Sequence, residues 1–258
     1  MVRLCVVSDI HGNLHALEAV LADARGSGAD MLVVAGDLVH QGPRPAETLD
    51  LLCSLDGDGL GTVRMIRGNT DRHLLEDPPA AERREAVEWT RERLGAERLR
   101  RLAELPAELA IGDRLVVHGS PRADDHGIWP HTPVEEFDSP RWDSVLVCGH
   151  THQAMHRREG ARHVVNGGSV AWPLDGDPRP GYALLEDGDG DLRVELRRVD
   201  YDRARTLAEL EACRVPAREV VRHYIETASF RNRMREGGSG RGEPPRRRAR
   251  ERAEEGVR

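Results

Sequence analysis

Lysine is absent from the 258 residues; all 38 basic side chains are arginine, a bias from which no function is drawn. Cysteine is scarce, and Cys5, Cys53, Cys148 and Cys213 stand far apart with no C-x-x-C pair. That spacing argues against a disulfide framework or a zinc finger; three of the four lie in apolar runs, where a free cysteine behaves as a small hydrophobe. No apolar run approaches the roughly 20 residues that a membrane-spanning helix needs. Net positive charge is lacking too: a balance of -7 and a pI near 6.0 fit a soluble protein rather than a general binder of nucleic acid or membranes. The apolar pattern begins at Val2, which leaves no room for a signal peptide, and the expected compartment is the cytoplasm.

What is present reads as one large α/β domain. Val2 to Ser8, Met31 to Ala35 and Val63 to Arg67 are short β-branched runs, too short for helices. Between them lie helical patterns. One follows Asn13, a good N-cap, with Leu14, Leu17, Val20 and Leu21 at helical spacing before Gly26 stops it. Another runs from about Ala46 to Leu55. Strand-then-helix units of this kind predict parallel pairing with right-handed crossovers. Pro79 to Leu105 reads as one charged helix with Val87, Leu94, Leu99, Leu102 and Leu105 facing inward. Six strand-like runs follow: Leu109 to Ile111, Leu115 to Val117, Val145 to Val147, His163 to Val165, Tyr182 to Leu185 and Leu192 to Val199. No long helix separates the later ones, so a second sheet packed on the first is expected, closed by helices over about Arg203 to Cys213 and Ala217 to Ala228. The domain spans residues 1–229. From residue 230 the chain holds almost nothing apolar, with ten Arg against five Glu from Arg231 onward. Such a segment reads as a disordered, solvated tail, with an RNA or anionic-surface contact as the alternative.

Five polar clusters each follow a β-like run: Asp9-x-His11, Gly36-Asp37, Gly68-Asn69-Thr70-Asp71, His118-Gly119 and Gly149-His150-Thr151-His152. Singly, each is an ordinary strand end or turn. Asp9 and His11 stand two apart, so on a strand they would face the same side. Ligand sites of open α/β sheets lie beyond the strands' carboxyl ends. The five in this order are hard to explain as separate turns.

The order D-x-H, G-D, G-N-x-D, a lone H and G-H-x-H closely resembles the calcineurin-like metallophosphoesterase family, over about Val2 to Leu185. The resemblance implies a two-sheet β-sandwich flanked by helices, an α/β fold of α+β character. It also implies a two-metal site. Asp9, His11, Asp37 and His152 would hold one ion, and Asp37, Asn69, His118 and His150 the other, with Asp37 bridging. Asp37, Asn69 and His150 would count as catalytic as well. The branch resembled is that of small prokaryotic phosphodiesterases. The ions would be divalent, with manganese expected and iron, zinc, nickel or magnesium as alternatives.

The residue types support that chemistry on their own. Imidazoles with carboxylates and no thiolate suit first-row divalent ions. A bridging carboxylate sets two such ions about 3.5–4 Å apart, and water between them loses a proton more readily, its pKa falling from about 15.7 toward about 7. The hydroxide so formed can attack phosphorus in line with the leaving oxygen. One departure stands out: where many relatives have His in G-N-H-D, this chain has Thr70. His73, His40 or Arg72 are candidates to supply the missing proton. Arg72, His73 and Arg122 are the candidate substrate contacts. Arg122 opens a long loop to Asp138, with Trp129, which is expected to wall the substrate pocket. His126 and His131 are expected to be solvated, and His15, His156, His163 and His223 carry no motif. Asn166-Gly167-Gly168-Ser169 resembles the family's N-P-G-S loop and would support the ligands from outside.

The function expected is hydrolysis of a phosphodiester or small phosphorylated metabolite. A protein or dinucleoside-polyphosphate phosphatase is the alternative enzyme, and a retromer-like scaffold without catalysis is the alternative of another class. Every ligand position is occupied here, which weighs against the scaffold. A nuclease would need a basic groove that the acidic chain does not suggest. No membrane partner is expected, and the sequence is silent on oligomeric state.

Overall fold

The computed structural model describes residues 2–55, 59–76, 81–188 and 191–230, without the side chains of 81–83. The expected disordered tail lies outside them from residue 231 on. In the first half, β1 (Arg3–Val7), α1 (Leu14–Arg25), β2 (Met31–Ala35), α2 (Pro45–Ser54) and β3 (Thr62–Ile66) form the predicted crossovers, followed by α3 (Asn69–His73) and α4 (Ala81–Glu104). In the second half come β4 (Glu108–Ile111), β5 (Arg114–Val117), β6 (Val145–Cys148), β7 (Ala154–Glu159), β8 (Arg162–Gly167), β9 (Gly181–Asp187) and β10 (Leu192–Arg198), then α5 (Arg203–Ala212) and α6 (Arg218–Thr227).

The strands make two five-stranded sheets, ordered β10-β9-β1-β2-β3 and β4-β5-β6-β8-β7. β1, β2 and β3 pair in parallel, as do β5, β6 and β8. The alternation of side chains along each strand builds two separate cores. Leu4, Val6, Val33, Ala35 and Ile66 face the other sheet and meet Val116, Val147 and Val165. Their neighbours Cys5, Val7, Leu32 and Val34 point the opposite way, onto Leu17, Val20, Leu21, Leu49 and Leu52 of α1 and α2. Asn13 caps α1 as expected, its side chain accepting from the Ala16 N–H. Among the described residues no helix is long and apolar enough to cross a membrane.

Three details differ from the sequence reading. The single helix expected to Leu105 is broken at Gly95, whose backbone (φ 68, ψ 171) leaves the helical region, a conformation open to a residue without Cβ. β7, of sequence AMHRRE, was missed because it is a polar edge strand whose outward positions give no β signal. The loop from Arg122 to Asp138, expected to wall a substrate pocket, packs on the second sheet. With Trp142, its Ile128 and Phe137 cover the outer face of the second sheet, over Leu115, Val117, Leu146 and Val164.

Candidate metal centre

All five clusters lie just past the carboxyl ends of strands, four in loops and Asn69 to Asp71 in the first turn of α3, but the pleat is not what aligns Asp9 and His11. β1 ends at Val7, and both residues lie beyond it with left-handed backbones, φ 54 and 47. Asp37 (55), His150 (66) and His152 (56) share that conformation. Five of the nine described non-glycine residues with positive φ are thus candidate ligands, at positions that cost an L-residue roughly 1–2 kcal/mol each. Strain concentrated on one cluster of polar residues points to function.

The strain is held by backbone hydrogen bonds between neighbouring loops. Asp9 N–H donates to the Gly36 carbonyl (3.0 Å), Ile10 and His11 N–H to Asp37 (2.8 and 2.9 Å), and Gly149 N–H to His118 (2.7 Å). Gly36 and Gly68 let the β2 and β3 loops touch. A Cβ on Gly36 would stand 2.8 Å from Gly68 Cα, and one on Gly68 2.4 Å from the Asp37 nitrogen.

The seven candidate side chains fall into two adjoining nests. In one, His11 Nε2 lies 3.2 Å from His152 Nε2 and 3.6 Å from Asp37 Oδ2, while His152 Nε2 lies 3.3 Å from Asp9 Oδ1. In the other, His118 Nε2 lies 3.3 Å from the same Asp37 oxygen and 3.0 Å from Asn69 Oδ1, which is 3.0 Å from His150 Nδ1. One oxygen of Asp37 therefore faces both nests; its partner oxygen accepts the Thr70 N–H at 2.9 Å. Two sets of donor atoms lie close enough together to hold an ion: Asp9, His11 and His152, and Asp9, Asp37 and His118.

The imidazoles are aimed by backbone carbonyls. The Nδ1 atoms of His11, His118 and His152 meet the carbonyls of His40 (3.0 Å), Ala35 (2.8 Å) and Trp172 (2.9 Å). Each carbonyl accepts a hydrogen bond from Nδ1–H, which turns Nε2 into the centre. Two Nε2 atoms 3.2 Å apart then need a cation or a proton between them. Burial drives His11 down to about 4, whereas Asp9 outweighs burial and raises His152. Burial alone would likewise lower His118, but Asp37 and Asp9 lift it to about 10. Burial would raise the Asp9 and Asp37 carboxyls; instead His152 pulls Asp9 down, and His118 with His11 pulls Asp37 well down. Burial and the Asp37 charge push Asp71 up to about 7, although it accepts from Gly68 and Leu38 N–H.

A supporting layer surrounds these groups. Asp9 Oδ2 lies 2.7 Å from Ser8 Oγ, and both its oxygens accept the His150 N–H at 3.1 Å. The Asn166–Ser169 loop is where the sequence pattern put it: Asn166 Nδ2 donates to the Gly149 carbonyl and Ser169 Oγ to that of Asp9. Trp172, which no motif singles out, stacks on His11 with ring centres 4.7 Å apart and planes at 17°. The carbonyls of Ala35, His40 and Trp172 are invisible to motif reasoning, since any residue supplies one.

The candidate substrate contacts are placed less simply. Arg72 grips Asp124 through two hydrogen bonds (2.7 and 2.8 Å) and also pairs with Glu76. Arg122 is exposed and donates to the Glu135 carbonyl, along its own loop. His73 is buried, and His40 Nδ1 is bonded to Thr90 Oγ1. His126, expected in solvent, is half-buried with Nδ1 2.8 Å from Ser120 Oγ; His131 is exposed. His15 is buried against Glu209 at 3.0 Å, a structural role.

A family model for the calcineurin-like phosphoesterase superfamily domain matches residues 2–190. The chain belongs to that superfamily. It is 30% identical to phosphodiesterase YfcE of Escherichia coli over 198 residues, covering 72% of this chain and 88% of the relative. Among solved structures, a metallophosphoesterase from Sphaerobacter thermophilus superposes with a TM-score of 0.73 at 31% identity, covering 88% of this chain and 99% of the other. A shorter match, 41% over 71 residues, joins 27% of the chain to 24% of a symmetrical bis(5'-nucleosyl)-tetraphosphatase of Psychromonas ingrahamii. Relatives named for hydrolysing phosphoesters, and a superfamily match over most of the chain, mark it as a phosphoesterase; α5 and α6 lie beyond the matched span.

Proposed function

We propose that this phosphoesterase works with two divalent ions and hydrolyses a phosphodiester or a small phosphorylated metabolite. The observation that carries the reading is the facing pair of imidazole Nε2 atoms in one nest, joined to a second nest through one oxygen of Asp37. The donor set fits such ions, with imidazole, carboxylate and amide oxygen and no thiolate. Asp9, His11, Asp37 and His152 would hold one ion, and Asp37, Asn69, His118 and His150 the other. Manganese is the ion proposed. Bound there, such ions supply Lewis acidity that activates water and neutralises phosphoryl charge.

The chain's own part is to fix geometry. The Thr70 N–H turns Asp37 so that one oxygen is shared between the nests. Asn69 Oδ1 links His118 to His150, so the second nest is set by three loops at once. Thr70 brings no ionisable group to the place where many members of the family have His. Esters whose leaving group departs without protonation are therefore the favoured class, and aryl or phosphoric-anhydride leaving groups meet that condition.

The test is metal analysis of the purified protein, with turnover of bis(p-nitrophenyl) phosphate and p-nitrophenyl phosphate. Up to two bound ions per chain, with faster diester hydrolysis on added manganese, is the expected result. No bound ion, together with no hydrolysis when manganese is supplied, overturns the proposal.

A further inference from the structure

The chain has few aromatic rings, four Trp, three Tyr and two Phe, and nearly all its large apolar side chains are covered. Among the described residues only Val2, Leu196 and Phe230 are large hydrophobics left exposed, and Phe230, at 51%, is the most exposed of them. Phe230 does not stand alone. Its ring lies 6.1 Å from that of Trp129, at 53°, and Trp129 is itself partly open to solvent.

The pair is connected to the loop that carries His150 and His152. Trp129 is tied to the His150 side through Gly127: a Cβ at Gly127 would be 3.4 Å from Trp129 Nε1 and 3.1 Å from His150 Cδ2. The chain just before Phe230 is tied to the His152 side. Gly176 N–H donates to the Ala228 carbonyl, and Leu174 N–H to the carbonyl of His152. The two rings therefore close a corner beside the His150–His152 loop, one from each flank. The corner is preorganised on the Trp129 side. The Trp129 N–H donates to Thr132 Oγ1 (2.9 Å), and its carbonyl accepts from Thr132 N–H (3.0 Å) and Arg157 (3.3 Å).

We infer that Trp129 and Phe230 form a stacking corner for a nucleobase, so that the phosphoester handled by the adjoining centre belongs to a nucleotide or nucleoside polyphosphate. The inference rests on the phosphoesterase reading for its placement. Contiguous exposed apolar surface marks interaction and ligand sites, and aromatic rings favour offset-stacked or edge contacts with other rings. Base–aromatic stacking accepts any base, because every base has a π-face. Two tilted rings offer a stacking face and an edge contact to the same base. The centre beside them is built to receive a phosphoryl group, and a nucleotide joins the two features within one molecule.

Two variants, Trp129→Leu and Phe230→Leu, test this; neither touches the metal centre. Thymidine 5′-(p-nitrophenyl) phosphate and methyl p-nitrophenyl phosphate share a leaving group and differ in the base. The wild type is expected to show a KM about tenfold lower for the thymidine ester, and each variant to lose that preference while leaving the methyl ester unchanged. In the metal-free protein, adenosine monophosphate should quench tryptophan fluorescence where ribose 5-phosphate does not, and Trp129→Leu should abolish the effect. An unchanged thymidine-to-methyl ratio in both variants overturns the inference while leaving phosphoester hydrolysis intact. So does an equal loss on both esters, or a change of oligomeric mass in Phe230→Leu, which would mean that a second copy covers the ring. Base-dependent quenching with no turnover of any ester overturns the phosphoesterase reading and leaves the stacking corner standing.

Discussion

Replacing Trp172 by alanine separates two tasks that one residue performs. Its ring is 3% exposed and packs with Leu210, Val215, Val221 and Ile225 of the α5–α6 unit, while its inner face stacks on His11. Burying an indole removes about 150–250 Å² from water, and at about 25 cal/mol per Å² this is worth about 4–6 kcal/mol. Partial collapse of the site brings the expected loss for Trp172→Ala to about 3–5 kcal/mol, read by urea titration of the metal-free protein. The carbonyl that aims His152 survives the substitution, but the plate against which His11 rests does not. Groups that orient a ligand from outside are worth about 10–100-fold in metal affinity, so calorimetric titration with manganese should show one of two sites weakened by about tenfold. Trp172→Phe keeps a ring there and should keep most of that affinity. A loss of stability under about 1 kcal/mol in the alanine variant, or unchanged affinity at both sites, would refute the reasoning.

Asp37→Asn removes the charge that both nests share, and kcat on any hydrolysed ester should fall by more than about a hundredfold with loss of at least one bound ion; wild-type turnover in that variant would sink the shared-oxygen geometry. Thr70→His puts an ionisable group beside the second nest, where Thr70 has none. It should raise turnover of alkyl esters by about tenfold or more while leaving p-nitrophenyl esters unchanged, as measured across a leaving-group series. Arg44 first, with His15 behind it, holds the Glu209 carboxyl near 2 instead of 4.5. A depressed carboxylate stabilises the fold above its unfolded value and loses that contribution as pH falls through the folded one. Glu209→Gln should therefore cost about 2 kcal/mol near neutral pH in the metal-free protein, with the gap to wild type closing as pH drops below about 4.5. A gap that persists unchanged at about pH 2.5 would show that the ion pair is not its source.

The parts of the fold legible in the sequence were those with strong periodicity. The parallel core of β1, β2 and β3 was readable because buried strands are short unbroken β-branched runs between capped helices. The second sheet was readable as a series of such runs, except for β7, where Arg157, Arg158 and Glu159 hide the alternation at an edge. Clustering of the seven candidate ligands was foreseeable from motif order, but its cause was not. Side-chain alternation accounts for strands, and Asp9, His11, Asp37, His150 and His152 are all in left-handed turns after strands. The second layer was the least legible. His118 is aimed by the carbonyl of Ala35, and a carbonyl has no signature in the one-letter code. Arg72 shows the limit from the other side. Its sequence position suits a substrate contact, yet its guanidinium is taken up by Asp124, a residue that no motif marks within the loop from Arg122 to Asp138.

A folding chain without chemical duties would put glycine or asparagine at those five left-handed positions. Carrying imidazole and carboxylate there instead means that local folding and ion capture pull against each other until an ion arrives. Ligands that bind only the folded form add RT ln(1 + [L]/Kd) to its stability. If the proposed ions bind, the melting temperature would become a gauge of free divalent ion, rising by a nearly fixed step for every tenfold increase well above Kd. Starved of ion, the chain would be thinned out by unfolding and proteolysis as well as silenced, so its abundance would follow the supply of metal.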